Sequence, residues 1–406
     1  MGVSQPTIDI MGKEVAPGEG DGYFQRLNKA LQSSLSPGPL LDAMSSKTVV
    51  NLELCLMKLA ADDAAPVNMY DWVRTNLVLA TSQTVFGPGN PFQDPTVLTA
   101  WKKFEDVGMP LLILGLLPNW MMREGLDARE TLVSAFDRYL AEGKDETASV
   151  FMQRRIQFFR KERFPKSDIT KLVAADNIAF NSNLVPAAFW LLYHIYSDPG
   201  LLRDCRAEVS AAVQSESNGK QTVLFHRVKS ACPVLQAIFR EVFRVHGFGL
   251  GPRRAMEDHM LDKQYLIKKG SLVFIPYRVQ HYDVDNWGED ASEFSHRRFL
   301  PGSEYKRHNP WALRGFGNGT HLCPGRHFAT AEVLLLTGMM ILRFDAEPAK
   351  GFWPKFPVKK SSQVTTIDQP DYDWGVKFRP RVGVSQEGWA ADFSLPDKVA
   401  EEASGA

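Results

Sequence analysis

Apolar residues recur at spacings of three and four along residues 22–250, which is the pattern of amphipathic helices. This spacing predicts helices over 23–35, 47–61, 70–86, 127–141, 147–163, 168–197, 199–216, 228–246 and 326–342. Asp198 followed by Pro199 marks the end of one helix and the start of the next, because proline suits the first helical turn. Most of the chain before residue 251 is therefore expected to be helical.

The pattern changes after residue 251. Residues 265–275, YLIKKGSLVFI, are rich in strand-forming side chains around Lys269 and Gly270, which predicts a hairpin that turns at those two residues. Residues 281–315 form a long polar segment with little periodicity, and such segments inside compact domains usually serve a site. Residues 350–384 alternate in short strand-like pieces.

These patterns together predict a mainly α fold with a small β region toward the C-terminus. We find no internal repeat and no linker composition that would separate domains, so residues 1–406 are expected to form a single domain. Within it, residues 1–21 and 385–406 lack a clear pattern and are expected to be poorly ordered.

Charge and cysteine content exclude several classes of protein. Lys and Arg number 47 and so do Asp and Glu, and a net charge of zero argues against a broad basic face for nucleic acid. The four cysteines share no C-x-x-C spacing, which argues against structural zinc and against a disulfide framework. The chain is therefore expected to be intracellular.

Two apolar runs bear on membrane contact. Residues 110–122, PLLILGLLPNWMM, are too few to span a bilayer, so they form either a buried loop or short helix, or a patch that dips into a membrane with Trp120 at the interface. Residues 172–197 are interrupted by polar side chains such as Asp176 and Asn181, which favours a buried helix. The first 30 residues hold no signal-peptide stretch, so a soluble or peripheral protein is expected.

The segment with the clearest chemistry is 316–326, FGNGTHLCPGR. Cys323 stands there with Gly319 four residues before it and Gly325 two residues after it, and glycines let a backbone turn sharply or approach a flat partner closely. Backbone amides and the start of a following helix can stabilise a thiolate, and Phe316 can shield the sulfur from water. A buried free thiol, which we assign to the other three cysteines, is the alternative reading of any single cysteine.

The pattern F-x-x-G-x-x-x-C-x-G resembles the haem loop of the cytochrome P450 superfamily, and the resemblance covers roughly residues 22–384. It implies haem as the cofactor, with the Cys323 thiolate as the axial ligand to the iron. Phe316 and Gly325 become cofactor-binding residues on the same ground. His321 stands where most relatives carry an arginine that binds a haem propionate, and it retains one hydrogen bond for that role.

Three further motifs carry the resemblance. Glu241 and Arg244 match the family's helical E-x-x-R, and Arg298 matches the end of its P-E-R-F motif, where His296 and Arg297 replace Pro and Glu. The resemblance implies a buried network of Glu241, Arg244 and Arg298 that braces the haem loop. Arg253, five residues before Asp258, matches an arginine that pairs with a haem propionate through a two-pronged contact.

The long helix 168–197 departs from the family pattern. Ser182 and Asn183 stand in place of the usual acid–threonine pair, and SNLVPAAFW resembles the subgroup of sterol hydroxylases and prostacyclin synthase. Pro186 has no N–H, so the carbonyl of Ser182 loses its partner and the helix is expected to open beside Asn183. Ser182 and Asn183 are therefore candidate catalytic residues, and a simple kink in a core helix is the alternative.

The resemblance implies a haem-thiolate monooxygenase that oxidises a bulky apolar small molecule, such as a sterol, terpenoid or other secondary metabolite. It uses O2 and electrons from an NADPH-dependent reductase, and peripheral contact with the endoplasmic reticulum membrane is expected. Asn183 in place of Thr leaves open a reductase-independent isomerase or dehydratase. The family's anchor, proline-rich hinge and first β sheet are not recognisable before residue 22, so a short N-terminal region is expected and a truncated haem binder without turnover also stays open.

Overall fold

The structure is a computed structural model that describes residues 2–13, 20–61, 65–110, 118, 120–217, 219–305, 309–319, 322–355 and 365–394. The described helices are α1 (Gln5–Gly12), α2 (Tyr23–Leu35), α3 (Pro39–Ala61), α4 (Met69–Phe86), α5 (Pro95–Lys103), α6 (Arg123–Ala141), α7 (Val150–Lys161), α8 (Lys166–Asn181), α9 (Leu184–Ser197), α10 (Pro199–Ala211), α11 (Phe225–Ala231), α12 (Pro233–His246), α13 (Tyr277–His281), α14 (Val284–Trp287) and α15 (Arg326–Arg343). The described strands are β1 (Val67–Asn68), β2 (Val213–Ser215), β3 (Gln221–Leu224), β4 (Leu250–Arg254), β5 (His259–Leu261), β6 (Tyr265–Ile267), β7 (Leu272–Pro276), β8 (Phe344–Pro348), β9 (Gly375–Pro380) and β10 (Trp389–Asp392). The predicted mainly α fold with small sheets is confirmed.

The chain divides into two compact units. The first unit is made of residues 1–232, 324–355 and 372–406, and the second of residues 233–323 and 356–371. The first unit contains most of the helices together with the sheets β1-β9-β8 and β10-β3-β2. The second contains helices α12, α13 and α14 and the strand pairs β4-β7 and β5-β6.

The core of the first unit is formed by helices that are apolar on nearly all sides. Helix α9 packs on α4 and α15, and α3 packs on the same two helices. The α9 sequence LVPAAFWLLYHIYS buries most of its side chains, and α15 is buried from Ala331 to Arg343. Such helices gain their stability from packing, because no face is left for water.

The predicted helix 168–197 is two helices. Helix α8 ends at Asn181 and α9 begins at Leu184, so the opening that we expected beside Asn183 is confirmed. Pro186 lies in the first turn of α9, where an amide N–H has no partner within the helix and its absence costs little. The proline therefore fixes the place at which the helix restarts.

The predicted hairpin over 265–275 is wrong in its pairing. Strand β7 pairs with β4 and β6 pairs with β5, both antiparallel, so Lys269 and Gly270 form a turn as predicted, but the two strands that it connects do not pair with each other. The Ser271 amide donates to the Lys268 carbonyl at 3.0 Å across this turn. The hairpin turn of β5 and β6 lies at 262–264, where Asp262 and Lys263 have left-handed φ angles of 51° and 55°. The Asp258 carboxylate accepts the Lys269 amide at 2.8 Å and holds the turn at Lys269.

Both chain ends contain elements that sequence patterning missed. In the segment predicted to be poorly ordered, Thr7 of α1 is buried and donates a hydrogen bond to Asp168 at 2.7 Å. Strand β10 pairs in parallel with β3, and its Trp389 is buried, so the prediction of disorder is wrong for residues 389–392. Residues 395–406 lie outside the described part of the chain.

One predicted helix is divided in the structure, and one helix was not predicted. The helix predicted over 228–246 is divided into α11 and α12 at Cys232, because Pro233 ends one helix and suits the first turn of the next. Helix α5, which continues into a π-helical turn over Phe104–Gly108, was not predicted. The extra residue of a π turn shifts the helical periodicity, so a pattern search at three and four loses such a segment.

The run 110–122 is described only in part. Residues 111–117 and 119 lie outside the described residues, while the Trp120 side chain is 76% exposed and Met122 is buried. Among the described helices, none combines the length and the apolar character needed to cross a bilayer.

A buried carboxyl between α4 and α15 gives a prediction on stability. Thr81 of α4 donates a hydrogen bond to Glu332 of α15 at 2.9 Å, and burial raises the pKa of Glu332 to about 8. The folded protein then holds a proton that the unfolded chain, with an ordinary carboxyl pKa of 4.5, releases, so stability falls as pH rises between these two values. The loss approaches about 1.4 kcal/mol per pH unit in that window.

We expect Glu332→Gln to remove most of this pH dependence, since an amide keeps the hydrogen bond without titrating. Unfolding midpoints in denaturant at pH 5, 6.5 and 8 measure the effect for both proteins. Glu347→Gln, at an exposed position of the same unit, is the matched control and should keep the wild-type slope. The same change in stability between pH 5 and pH 8 for wild type and Glu332→Gln would contradict the neutral form of Glu332 in the fold.

Candidate active site

The loop that contains Cys323 begins on aromatic side chains of α12. The Phe316 ring packs on Phe243 with 4.7 Å between ring centroids and lies 6.4 Å from Phe239. Gly315 lies so close to Phe243 that an added Cβ would come within 2.8 Å of the ring. Glycine is therefore required at position 315 for the loop to lie flat on this helix.

Cys323 is held at the end of the same loop. Its amide donates a hydrogen bond to the Phe316 carbonyl at 2.8 Å, so the two motif residues that the sequence singled out are brought together. The thiol is half-buried and forms no disulfide. Gly319, between them, has a left-handed φ of +61° and open space where a Cβ would lie. The loop thus holds the Cys323 main chain against Phe316 and leaves the space beside Gly319 open.

Two other predicted cofactor-binding residues stand on either side of Cys323. Gly325 is the N-cap residue of α15 in the first unit, and its carbonyl accepts the Ala329 amide at 2.9 Å. His321 lies outside the described residues, so its role in propionate binding stays a prediction.

The predicted buried network is confirmed. Arg244 binds Glu241 through two hydrogen bonds, Nε to Oε2 at 2.8 Å and Nη2 to Oε1 at 2.7 Å, and both side chains are fully buried. Arg298 approaches Glu241 at 3.5 Å and binds Asp290 at 2.8 Å. Burial raises the pKa of the Glu241 carboxyl, while Arg244 lowers it.

The remaining polar atoms of the Glu241–Arg244 pair bind main-chain groups. Arg244 donates to the carbonyls of His281, Ala291 and Glu293 at 2.8, 2.6 and 2.8 Å. Glu241 accepts the Ser295 amide at 2.8 Å. A buried ion pair is tolerated when its remaining donors and acceptors are satisfied, and here they fix the irregular segment that precedes the cysteine loop.

The departure from P-E-R-F leaves the network intact. Residues His296–Phe299 form a short 3-10 helix that packs on α12, and its third residue is Arg298. Arg298 also donates to the carbonyls of Trp287 and Asp290. The arginine therefore keeps its place although His296 and Arg297 replace the usual Pro and Glu.

Arg253 lies on β4, opposite Val273 of β7. It shares the better-buried face of this strand pair with Gly251, because alternate residues of a strand point to the same side. Its guanidinium donates to the Pro252 carbonyl at 2.7 Å, and among the described carboxylates none pairs with it. Its charge is therefore available to an anionic group of a ligand.

The helix break of the first unit contains a second polar cluster. Burial raises the pKa of the Glu105 carboxyl, whereas Arg74, at 2.7 Å, and the nearby Ser182 hydroxyl lower it. Within the described residues, neither amide atom of the fully buried Asn181 has a hydrogen-bond partner. A buried polar atom without a partner is costly, so the break is suited to a bound polar group or water.

Comparison with known proteins identifies the family. A family model for cytochrome P450 matches residues 40–372. The chain belongs to the cytochrome P450 family. The P450 is 30% identical to a cytochrome P450 monooxygenase of Hypoxylon pulicicidum, in a match that covers 98% of this chain and 77% of that protein. It is 25% identical to a cholesterol 7-alpha-monooxygenase of Cricetulus griseus, over 90% of this chain and 77% of the relative.

A third relative contains its own electron donor. The P450 is 30% identical to a bifunctional cytochrome P450/NADPH–P450 reductase of Alternaria alternata, over 48% of this chain and 16% of the relative. Members of the family bind haem through a cysteine thiolate and are enzymes, so this P450 is a haem-thiolate monooxygenase by family.

The residues that the structure describes fit such a cofactor. The donor set contains a half-buried thiol that forms no disulfide, and an arginine that pairs with none of the described carboxylates stands on β4. Gly319 of the same loop has no described atom within 4 Å of the position that a Cβ would take. Thiolate ligation and propionate binding need these two kinds of group.

Sequence reasoning missed two residues of this region. His281 binds Arg244 through its carbonyl and the Arg314 amide through its ring, but a single histidine in a polar loop carries no pattern. Glu105 lies in the unpredicted π turn, 77 positions before Ser182 in the sequence, so only the tertiary fold brings them together. A scan for buried titratable residues in the folded chain would have found both.

The Glu241 network gives the next prediction. Glu241→Ala leaves the Arg244 guanidinium buried without its counter-ion, and we expect a loss of about 3–5 kcal/mol together with poor haem incorporation. Chemical unfolding and the ratio of haem absorbance to protein absorbance measure the two effects. Glu257→Ala, at an exposed position in the same unit, is the control and should change stability by less than about 1 kcal/mol. Normal haem loading in Glu241→Ala would contradict the bracing role.

Proposed function

We propose that Cys323 is the axial thiolate ligand of the haem and that the protein is a monooxygenase of a bulky apolar small molecule. The observation that carries the proposal is the structure of the Cys323 loop. The Cys323 amide binds the Phe316 carbonyl, and the Phe316 ring packs on Phe243. Phe243 is the neighbour in sequence of Arg244, which forms the buried pair with Glu241. Haem-thiolate chemistry supplies electron density that favours cleavage of the O–O bond of bound oxygen. The protein supplies ligation, orientation and exclusion of water.

Four residues are proposed to hold the cofactor beside Cys323. Arg253 pairs with a propionate through its guanidinium, and His321 donates one hydrogen bond to a propionate. Gly325 allows close approach of the backbone, and Phe316 keeps water from the sulfur. The position of Phe316 against Phe243 supports this shielding, because the ring is already fixed by the aromatic contact.

Ser182 and Asn183 are proposed to bind the oxygen ligand, a water or a polar group of the substrate. The interruption between α8 and α9 supports this, because the buried Ser182 hydroxyl there has no hydrogen-bond partner within the described residues.

The substrate class and the electron donor are proposed from the relatives. One relative is named a cholesterol 7-alpha-monooxygenase, and the fungal ones are named P450 monooxygenases, which favours a sterol, a terpenoid or another secondary metabolite. The relative fused to an NADPH–P450 reductase supports an NADPH-dependent reductase as the donor. The exposed Trp120 supports peripheral contact with the endoplasmic reticulum membrane, because its ring suits a membrane interface.

Cys323→Ser tests the ligand assignment. We expect this variant to lose the red-shifted Soret band that the reduced carbon monoxide complex of a haem thiolate shows, because a serine oxygen does not supply the sulfur's charge. The absorbance spectrum of the reduced, carbon monoxide-treated protein is the measurement. Cys55→Ser, in the other unit, is the matched control and should keep the band. A band that survives in Cys323→Ser would exclude this residue as the ligand.

A second candidate function is favoured by Asn183, which replaces the usual threonine. Isomerases and dehydratases act on a peroxide or an already oxygenated substrate and need no electrons from a reductase. We expect product formation by the haem-loaded protein to require both NADPH and the reductase, as followed by mass spectrometry of a sterol and terpenoid panel. Product formation in the absence of NADPH would instead establish an isomerase or dehydratase. Haem binding without product formation or NADPH consumption would establish a haem-binding protein without turnover.

A further inference from the structure

His281, the last residue of α13, is fully buried, and both of its ring nitrogens are engaged. Nδ1 lies 3.1 Å from the Gly247 carbonyl oxygen, and Nε2 lies 3.0 Å from the Arg314 amide nitrogen. A carbonyl can only accept and an amide N–H can only donate, so Nδ1 carries the hydrogen and Nε2 is the acceptor. The fold therefore selects one neutral tautomer of this ring.

The main chain of the same residue belongs to the buried network. Its carbonyl oxygen accepts a hydrogen bond from Nη1 of Arg244 at 2.8 Å. The backbone of His281 thus binds Arg244 of the buried pair, and its side chain binds the amide of Arg314. In this way His281 connects the buried ion pair to the segment that leads into the cysteine loop.

That segment runs from Arg314 to Cys323. Arg314 is two residues before Phe316, whose carbonyl accepts the Cys323 amide at 2.8 Å. Other main-chain hydrogen bonds that the structure describes here are internal, from Gly317 to the Arg314 carbonyl and from Leu322 to the Gly319 carbonyl. Internal bonds shape a loop but do not fix its place, so the bond from Arg314 to the buried His281 ring adds a directional anchor to the packing of Phe316 on Phe243.

We propose that His281 is a positioning residue for the Cys323 thiolate, acting through the hydrogen bond between its Nε2 and the amide of Arg314. The inference rests on the proposed ligation by Cys323. Loss of the acceptor leaves the Arg314 amide without its partner and frees the start of the loop, although no group that touches the sulfur has changed.

The surroundings of the ring favour the neutral form that this role needs. The pKa of His281 is lowered to about 4, chiefly by burial and also by the guanidinium groups of Arg244 and Arg314, while Tyr277 packs on the ring. Between this value and the ordinary 6.5, the unfolded chain binds a proton that the folded chain does not, so stability falls as pH falls through that window. Protonation of Nε2 then removes the acceptor.

Two substitutions separate the two hydrogen bonds of the ring. His281→Gln places an amide oxygen near the position of Nε2 and keeps an acceptor for Arg314. His281→Asn places an amide nitrogen near the position of Nδ1 and keeps a donor for Gly247 but no acceptor for Arg314. Gln280→Ala is the control, because Gln280 binds the Arg314 guanidinium rather than its amide.

The readout is the fraction of protein with the red-shifted Soret band in the reduced carbon monoxide complex. We expect the ratio of native to altered haem ligation in His281→Gln and in Gln280→Ala to stay within about twofold of wild type. In His281→Asn this ratio should fall about tenfold, because a buried hydrogen bond is lost. Equal effects of the Gln and Asn variants, or a stronger effect of Gln, would overturn the proposal. A wild-type protein without the band would instead refute ligation by Cys323.

An acid titration of the same band adds a test that stands even if His281→Asn fails to fold. As pH falls from 6.5 toward 4, the wild-type protein should lose the band, and His281→Gln should lose it at a lower pH because its acceptor does not titrate. Coincident titration curves for the two proteins would show that protonation of His281 has no part in holding the loop.

Discussion

The buried pairing of Glu241 with Arg244 is the interaction on which the candidate site depends. Two opposite charges without exposure to water are stable only when every remaining donor and acceptor has a partner. Here those partners are main-chain groups of residues 281–295, so satisfying the ion pair also fixes a segment that has little regular structure of its own. An irregular backbone is thereby given the rigidity that metal ligation requires.

Two different kinds of contact within the second unit fix the cysteine loop. Phe316 packs on Phe243, which fixes the loop against α12 by dispersion and apolar burial. His281 adds a directional hydrogen bond to Arg314. Apolar packing alone tolerates small slides of one ring on another, whereas a hydrogen bond specifies distance and angle. The combination explains how a glycine-rich loop can still hold a sulfur in one place.

The first unit uses buried polar groups differently. Glu332 is held in its neutral form by burial, which outweighs the opposing effect of the hydrogen bond that it accepts from Thr81, while Glu105 keeps Arg74 as an ion-pair partner beside the helix break. Glu332 is thus a structural hydrogen-bonding group, whereas Glu105 is the partner of a buried arginine near the residues proposed for catalysis. The difference follows from the nearest cation, because desolvation raises the pKa of both carboxyls.

The sequence by itself determined the features that depend on near neighbours: the helical periodicity, the break set by Pro186, the E-x-x-R pair on one face of a helix and the glycine-spaced Cys323 loop. Only the tertiary structure decided the partners of isolated polar residues, such as Thr81 for Glu332 and Arg314 for His281, and the pairing of β6 and β7 with strands other than each other. The physical reason is the distance along the chain over which each kind of interaction acts. Periodicity and turn preferences act over one or two turns of chain, whereas a hydrogen bond across many residues forms only where packing of the whole unit brings its two groups within reach.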